Sequence, residues 1–374
     1  MYILELIKNI RDPRIDGKIR YDFGAIIFIA LCAVLSGCES WNDIEEYGKV
    51  KKSWLGKYVD LSNGIPSEWT FRRIFTLLDP EQIENLLRTH ARSIVEAKGE
   101  SKQIAIDGKA LRGSKRQDLR CLQSISAWCQ ENKLVLAERQ VMSKSNEITA
   151  IPLLLETLEL KGNTVTIDAI GCQKNNTRII KEKGGDYVLG LKRNQAKLYQ
   201  AATKYVEEQG ENEHNRLHDA FDSSHGRTIR RRYFGYDISS LEQVKDFAGA
   251  KTVIAVENIS TKDNDPTRVV TANWRYYLSS HKCTDKDLPN YIRSHWSIEN
   301  KLHWILDVNF KEDNDQKAER KSARSFAILR RIALNIVRQD QEKEVTLKRK
   351  KRSLRGRLKN CGWSDDYLLS LLLS

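Results

Sequence analysis

The sequence lacks the cysteine patterns that mark a zinc ribbon or a disulfide-stabilised protein. Its seven cysteines are scattered along the chain, and no two of them form a Cys-x-x-Cys pair. This spacing argues against both kinds of structure and fits a reducing cytoplasm. A secretory signal is missing as well, because the opening residues MYILELIKNIRDPR carry charges where a signal peptide has an apolar core.

No apolar run reaches the length that a membrane helix needs. The stretch from Phe23 to Leu35 carries no charge, but it is too short to span a bilayer as a helix. It therefore predicts a helix that is buried in a protein core. With 374 residues, of which 40% are hydrophobic and 30% charged, the composition is typical of a globular protein with two or three domains.

Acidic residues are outnumbered by basic ones. The chain has 63 lysines and arginines against 50 aspartates and glutamates, a formal charge of +13. A surplus of this size favours a polyanionic partner, most simply nucleic acid, and hence a nucleoid-associated protein of the cytoplasm. The alternative is a basic protein whose charge only keeps it in solution.

Residues 1–98 predict a helical N-terminal domain. Asp79 is placed as the N-cap of a helix that has proline at its first position and ends at Gly99. The adjacent Arg72 and Arg73 make DNA binding by this domain one interpretation. The other interpretation is a helical bundle that serves only as a scaffold.

Near residue 99 the pattern changes to short apolar strands that alternate with helices, and it continues to about residue 338. Three strands come first, followed by helix, strand, helix, strand and helix, which predicts a hairpin continued by parallel strands with helices covering the sheet. Asp107 and Asp168 fall at or near the ends of two of these strands. If the strands lie side by side, the two carboxylates are neighbours.

Positive charge is concentrated in two later segments. A β-rich insertion at about 227–280 combines arginines with aromatic residues, and a helix over 318–338 leads into a basic C-terminal tail, 339–374. The arginines and lysines concerned are Arg227, Arg230, Arg231 and Arg232 in the insertion, and Arg355, Arg357 and Lys359 in the tail. These residues suit a nucleic-acid surface. The alternatives are an ordinary sheet with one solvated face and a solvated tail.

The run from Tyr291 to Phe310 predicts an amphipathic helix with Glu299 on its apolar face. A carboxylate in such a stripe is costly to bury without a partner. Taken alone, Glu299 fits a helix-edge glutamate that pairs with a nearby lysine or arginine. Together with the two strand-end aspartates, it fits a site for a hard divalent cation such as Mg²⁺, which prefers oxygen ligands.

Three sequence segments make this interpretation specific: IAIDGKALRGS (104–114), TIDAIGCQ (166–173) with GGDYVLGLKRNQ (184–195), and HWSIENKLHWILDVNFKED (295–313). Together they resemble the DDE transposases of bacterial insertion sequences, and most closely the branch that includes the H repeat-associated proteins. The N-terminal segments DPRIDGKIRYDFGAIIFIALCAVLSGCESWNDIEEYGKVKKSWL and GIPSEWTFRRIFTLLDPEQ are similar to the transposase-associated N-terminal domain of that branch.

The resemblance implies an α/β, RNase H-like catalytic domain over 99–338, with the β insertion placed before the final carboxylate. It implies Asp107, Asp168 and Glu299 as the catalytic, metal-binding triad for Mg²⁺ or Mn²⁺, with two ions. In this interpretation Asp107 bridges the two ions, while Asp168 and Glu299 each hold one.

The chain departs from the family pattern in two places. Relatives carry a Tyr-Arg-Glu-Lys signature around the glutamate, whereas Tyr291 and Arg293 stand at unusual distances from Glu299 and no lysine follows where one is expected. Relatives also tend to have His-Asp where this chain has Glu68-Trp69.

The function implied is metal-dependent cleavage of double-stranded DNA at element ends, followed by transfer of the 3′-hydroxyl into target DNA, by a homodimer assembled on DNA. The alternatives are a domesticated DNA nuclease and a catalytically silent DNA-binding remnant. The residues predicted to contact DNA are Lys109, Arg112, Lys192, Arg193, Tyr291, Arg293, Lys348, Arg349, Lys350, Lys351 and Arg352. For the first four, surface salt bridges are the alternative.

A zinc site is a competing interpretation of the same helix. His295, Glu299 and His303 stand four residues apart in turn, so one helical face can carry all three. Two helical turns separate the histidines, about 12 Å along the axis, so both cannot reach one ion unless the helix breaks. Zinc would also leave Asp107 and Asp168 without a role, and the oxygen-only site is therefore favoured.

Overall fold

The computed structural model describes residues 2–15, 17, 19–99, 102–112, 121–141, 147–224, 227–262, 269–315, 317, 319–346 and 352–373. The chain divides into two compact units, and each is considered by itself. The first unit comprises Met1–Glu100, Gly108–Lys144 and Glu299–Ser374, and the second comprises Ser101–Asp107 and Ser145–Ile298. No helix among the described residues is both long enough and apolar enough to cross a membrane.

The α-helices are α1 (Tyr2–Lys8), α2 (Phe23–Leu35), α3 (Trp41–Val50), α4 (Lys52–Leu55), α5 (Glu68–Leu77), α6 (Pro80–Lys98), α7 (Glu147–Glu156), α8 (Lys174–Glu182), α9 (Ala196–Gln209), α10 (Leu288–His295), α11 (Trp304–Phe310), α12 (Arg320–Thr346), α13 (Leu354–Trp363) and α14 (Asp365–Leu372). The strands are β1 (Gln103–Leu111), β2 (Leu122–Cys129), β3 (Leu134–Val141), β4 (Thr164–Ile167), β5 (Asp186–Leu191), β6 (Arg216–Ser224), β7 (Arg227–Asp237), β8 (Thr252–Lys262) and β9 (Val269–Ser279).

Helix α2 forms the centre of the first unit. Every residue of it except Gly24 is buried, which confirms the prediction of a core helix from its uncharged sequence. The long helix α12 packs against α2, α5 and α6. Trp41 joins these layers, because its ring lies 4.8 Å from the ring of Phe75 and 5.0 Å from that of Phe326. Burial of such aromatic side chains supplies much of the stability of a core.

The predicted boundaries of α6 are confirmed. The side chain of Asp79 accepts a hydrogen bond from the backbone N–H of Glu81, and Pro80 occupies the first turn, where its missing N–H costs nothing. Gly99 ends the helix with a φ of 73°, a left-handed conformation that glycine adopts without strain.

Both units contain β-strands. In the first unit, β3 pairs antiparallel with β2, and β2 lies beside the second half of β1. In the second unit the order is β1-β4-β5-β9-β8-β7-β6, with β1, β4 and β5 parallel and the remaining pairs antiparallel. The predicted hairpin and the parallel strands are therefore both present.

Two segments differ from the sequence-based prediction. Strand β6, Arg216–Ser224, precedes the residue at which the β insertion was expected to begin. The predicted C-terminal tail contains the end of α12 and two further helices, α13 and α14. Arg357 of this segment is buried and pairs with Asp340 and Glu344, so the prediction that it grips phosphate is wrong.

Candidate active site

Asp107 and Asp168 follow equivalent positions of two neighbouring parallel strands in the second unit. Ile106 of β1 is in register with Ile167 of β4. Each aspartate is the next residue along its strand direction, and parallel strands lie about 4.8 Å apart, so the two carboxylates are neighbours on one face of the sheet. Asp107 is half-buried and Asp168 is exposed. The pairing of β1 with β4 agrees with the expectation that the two aspartates are neighbours, but Asp107 lies in the middle of β1 rather than at its end.

The turn that carries Asp168 is fixed by local contacts. Its carboxylate accepts a hydrogen bond from the N–H of Ile170, 3.1 Å away, and so caps the short 3₁₀ turn Ala169–Gly171. Gly190 of the neighbouring strand permits this close packing, because a Cβ there would lie 2.9 Å from the nitrogen of Ala169. The glycine in the sequence YVLGL is therefore needed for β5 to lie against the turn.

Glu299 begins a π-helical turn, Glu299–His303, in the first unit. The expected single helix over 291–310 is thus interrupted, and α11 follows the π turn. Such π turns occur frequently at functional sites because they re-aim side chains. The side chain of Glu299 is 55% exposed, and its Oε2 lies 3.4 Å from Nδ1 of the buried His303. The exposed carboxylate contradicts the expectation that Glu299 lies within an apolar face.

Lys109 makes salt bridges within the first unit. Its Nζ lies 2.5 Å from Asp307, 3.0 Å from Asp313 and 3.2 Å from Glu312, and its side chain is only 9% exposed. Burial alone would lower the pKa of Lys109, but the carboxylates of Glu312 and Asp307 outweigh it and raise that pKa. The structure therefore favours the salt-bridge alternative over a phosphate contact for Lys109.

Glu312 is the centre of this buried network. Burial would raise its pKa, but the guanidinium of Arg331 and the ammonium of Lys109 lower it to about 2. Arg331 is fully buried, pairs with both Glu312 and Glu138, and donates to Ser124 Oγ at 3.1 Å. The positive charge of Arg331 is therefore neutralised inside the first unit and is not available to phosphate.

Other residues predicted to contact DNA fall into three groups. Arg112, Lys192 and Arg193 are exposed, although Arg112 Nε lies 3.6 Å from a carboxylate oxygen of Asp313. Arg293 Nη2 pairs with Asp222 at 2.7 Å. The ring of Tyr291 stacks on His281 with centroids 5.4 Å apart.

Of the basic run 348–352, the structure describes only the last residue, Arg352. Lys348, Arg349, Lys350 and Lys351 lie outside the described residues, and their contact with phosphate stays a prediction. Arg352 is exposed, lies over the ring of Tyr367 at 5.5 Å and has its Nε 3.5 Å from Glu344.

Three of the four arginines of β7 pair with acidic residues. Arg230 pairs with Asp219 on β6, Arg231 with Asp222 on β6, and Arg232 with Glu211 and Glu257. This arrangement supports the alternative of an ordinary sheet with one solvated, charge-balanced face over a dedicated DNA surface. The acidic partners on β6 were missed because that strand was not predicted.

A cavity of about 250 Å³ in the second unit adjoins Asp168. Lys192 lines it together with aromatic side chains, and the guanidinium of Arg275 lies 5.8 Å from the ring centroid of Trp296 in its wall. The buried His295 also lines the cavity, and its Nδ1 lies 3.0 Å from Thr166 Oγ1. This places a cation, flat rings and a carboxylate around one opening, a combination suited to a nucleic-acid strand.

Sequence analysis overlooked Thr166, Gln103 and Arg331. Threonine inside an apolar strand carries no signal that separates a structural hydroxyl from a functional one. Arg331 was counted with the surface charges of α12, whereas its spacing along that helix places it with the buried residues Ile328 and Ala327. The signal that could have identified Arg331 is its position, because a charged residue stands where the helical periodicity predicts an apolar one.

Nearly the whole chain matches known protein families and relatives. Residues 98–336 match the family described as "Transposase DDE domain", and residues 4–91 match the one described as "DDE_Tnp_1-associated". The protein named "Putative transposase YncI" of Escherichia coli O157:H7 is 34% identical over 94% of this chain and 91% of its own length. The "H repeat-associated putative transposase YhhI" of Escherichia coli strain K12 is 33% identical over 99% of this chain and 97% of its own length.

One solved structure, titled "Cryo-EM structure of piggyBac transposase synaptic complex with hairpin DNA (SNHP)", has a TM-score of 0.46 and 10% identity, covering 99% of this chain and 77% of that one. No conclusion about fold or function depends on this likeness. The family matches and the full-length relatives lead to one assignment. The chain belongs to the DDE transposases of bacterial insertion sequences, in the branch that includes the H repeat-associated proteins.

Proposed function

We propose that this protein cleaves DNA strands at the ends of an insertion sequence and joins the freed 3′-hydroxyl to target DNA. The observation that carries the proposal is the placement of Asp107 and Asp168 after register-paired residues of adjacent parallel strands. An antiparallel hairpin, β2–β3, together with the parallel strands β1, β4 and β5 is the set of strands expected of an RNase H-like catalytic domain. In this proposal the domain extends over 99–338, and the helical residues 1–98 contribute to DNA binding.

The proposed metal ligands are Asp107, Asp168 and Glu299. All three offer carboxylate oxygens, the donors that Mg²⁺ and Mn²⁺ prefer, and the exposed Asp168 and Glu299 are accessible to an ion that keeps part of its water shell. When bound, two such ions would lower the pKa of the attacking water or 3′-hydroxyl and would stabilise the negative charge on the leaving oxygen. His303 contacts Glu299 through Nδ1, so we assign it the role of orienting that carboxylate.

The reaction is an in-line displacement at phosphorus. In cleavage, a water oxygen forms a bond to phosphorus while the bond to the 3′-oxygen breaks, and that oxygen takes up a proton to become a 3′-hydroxyl. In joining, the 3′-hydroxyl replaces water, loses its proton, and displaces a 3′-oxygen of the target strand. The protein's own contribution is to hold the strand in place and to fix the carboxylates before the reaction begins.

Exposed cations of the second unit suit the DNA contact. Lys192 lines the cavity beside Asp168, and Arg193 follows it on the surface. Contacts with phosphates at these two residues would place a DNA strand beside Asp168. We also propose that two copies assemble on DNA, because the two ends of an element must be brought together for joining.

Incubation with duplexes that carry the element's own ends tests the proposal. We expect Mg²⁺- or Mn²⁺-dependent nicking that exposes a 3′-hydroxyl, followed by joining to a second duplex, with both steps lost in a chelator. We also expect the purified protein to hold no stoichiometric zinc. Nicking without joining would favour a domesticated nuclease, and sequence-specific binding without nicking would favour a silent remnant. Either result would contradict the transposase reaction proposed here.

A further inference from the structure

A chain of hydrogen bonds connects β1, β4 and α10 within the second unit. Gln103 Nε2 donates to Thr166 Oγ1 at 3.1 Å and to the carbonyl oxygen of Tyr291 at 2.9 Å. Thr166 Oγ1 lies 3.0 Å from Nδ1 of His295, and Ser294 Oγ donates to Gln103 Oε1. Gln103 and Thr166 are buried, so their polar groups depend on one another rather than on solvent.

This network lies on the same face of the sheet as the two aspartates. Side chains alternate along a strand, so Gln103 and Asp107 share one face of β1, and Thr166 and Asp168 share the same face of β4. The register pairs Gln103 with Thr164 and Ala105 with Thr166, so the two strands are aligned at these positions. Helix α10 packs on β4 and β5. The network therefore anchors the helix on the face of the sheet that carries the two aspartates.

The carbonyl of Tyr291 fixes the orientation of the Gln103 side-chain amide. A carbonyl oxygen only accepts, so the atom of Gln103 that faces it is the amide nitrogen, and both N–H groups of that nitrogen are then in use. Thr166 Oγ1 consequently accepts from Gln103. Its single proton has one remaining partner among the described residues, the Nδ1 of His295.

The same accounting determines the protonation state of His295. If Nδ1 carried a proton, the buried Thr166 hydroxyl would have no acceptor, which costs roughly 1–3 kcal/mol. The satisfied arrangement has Nδ1 as the acceptor and the proton of the neutral ring on Nε2. His295 stands four residues before Glu299 and lines the cavity beside Asp168.

We propose that Thr166, supported by Gln103, is a positioning residue that holds His295 in its Nε2–H form and fixes β1 and the end of β4, which carry Asp107 and Asp168, for metal binding. This inference rests on the proposed metal-dependent function. Groups that orient metal ligands from behind typically change metal affinity about 10- to 100-fold when they are removed. The hydroxyl of Thr166 bonds to Gln103 and His295, so it acts on Asp107 and Asp168 through the two strands and not through a bond to either carboxylate.

Two substitutions at one position test the role, and a neighbouring threonine supplies the control. Thr166→Val removes the hydroxyl with little change in volume, and Thr166→Ser retains it. Thr164 lies on the same face of β4, one residue pair farther from Asp168, and its Oγ1 makes a comparable bond to His281 Nε2 at 2.9 Å. Thr164→Val therefore removes an equivalent buried hydroxyl from the same strand.

The first readout needs neither metal nor DNA. Nitrogen-15 NMR of the full-length protein labelled at histidine distinguishes the two ring tautomers, and the His295 signals are assigned by their loss in His295→Gln. We expect the Nε2–H form in the wild type, in Thr166→Ser and in Thr164→Val, and a mixture of tautomers in Thr166→Val. A ring protonated at Nδ1 in the wild type would overturn the inference.

The second readout is Mn²⁺ binding measured by electron paramagnetic resonance. We expect Thr166→Val to weaken binding roughly tenfold, Thr166→Ser to restore it, and Thr164→Val to leave it within about twofold of the wild type. Equal weakening by both valine variants would show a merely structural role and overturn the proposal, as would unchanged binding in Thr166→Val. Failure of the proposed function is distinguishable, because then the wild type itself would bind no Mn²⁺.

Discussion

Basic residues of the two units behave in opposite ways, although all of them contribute to the net positive charge. Arg331 of the first unit is fully buried between Glu312 and Glu138. Lys192 and Arg193 of the second unit are exposed beside the turn that carries Asp168. The first group stabilises the fold, whereas the second is accessible to phosphate. Net charge alone therefore overestimates the surface that can bind DNA, because part of it is neutralised inside the protein.

Removing the buried cation should have the largest effect on stability. Arg331→Met removes the guanidinium from Glu138 and Glu312 and leaves Glu312 with Lys109 alone, and breaking a buried pair in this way costs about 3–5 kcal/mol. We expect urea denaturation to show a fall of that size in the free energy of unfolding. Arg112→Met, at a residue that is 81% exposed in its side chain, should change it by less than about 0.5 kcal/mol. Equal effects of the two variants would contradict the contrast between buried and exposed cations.

The same network predicts how stability depends on pH. The pKa of Glu312 is lowered from 4.5 to about 2, so this carboxyl binds a proton more readily in the unfolded chain. The contribution of Glu312 to the free energy of unfolding, on the order of 3 kcal/mol, is present above pH 4.5 and is lost as the pH falls toward 2. Glu312→Gln should remove that part of the acid dependence. An identical pH profile in the variant and the wild type would show that Glu312 is not the group responsible.

Neutralising the exposed pair should affect DNA binding more than folding. In Lys192→Gln/Arg193→Gln, each lost phosphate contact should reduce the slope of log K against log salt by about 0.9. The matched control is Arg230→Gln/Arg232→Gln, which removes the same charge from residues that are already paired with Asp219, Glu211 and Glu257. We expect a smaller change in the control. A larger change in the control would identify the insertion sheet as the DNA surface instead.

Local features of the fold were predictable from the sequence, whereas distant ion pairs were not. The uncharged helix α2, the cap at Asp79 and the strand that begins at Gln103 depend on residues close together in the chain, and the structure confirms them, although that strand extends past Asp107 to Leu111. Lys109 pairs with Glu312, 203 positions away, and no local pattern reveals such a partner. Lys109 was therefore predicted as a DNA contact with a salt bridge as the alternative.

Strand β6 shows the other limit of sequence reasoning. Its residues RLHDAFDSS combine few apolar side chains with acidic ones, a pattern that resembles a loop. The strand is stabilised by cross-strand pairs with the arginines of β7, and these pairs exist only once the sheet has formed. The π turn at Glu299 was missed for a similar reason, because the periodicity of the surrounding residues fits an uninterrupted helix.

The most direct test of the account compares two aspartates of the second unit. Asp168→Asn removes a proposed metal ligand, while Asp246→Asn changes an exposed aspartate that pairs with Lys174. Strand cleavage of end DNA in Mg²⁺ and DNA binding are measured for both variants. The account predicts that Asp168→Asn cleaves no faster than the metal-free wild type while binding DNA normally, and that Asp246→Asn retains full cleavage. Cleavage by Asp168→Asn at the wild-type rate would contradict the proposed catalytic site.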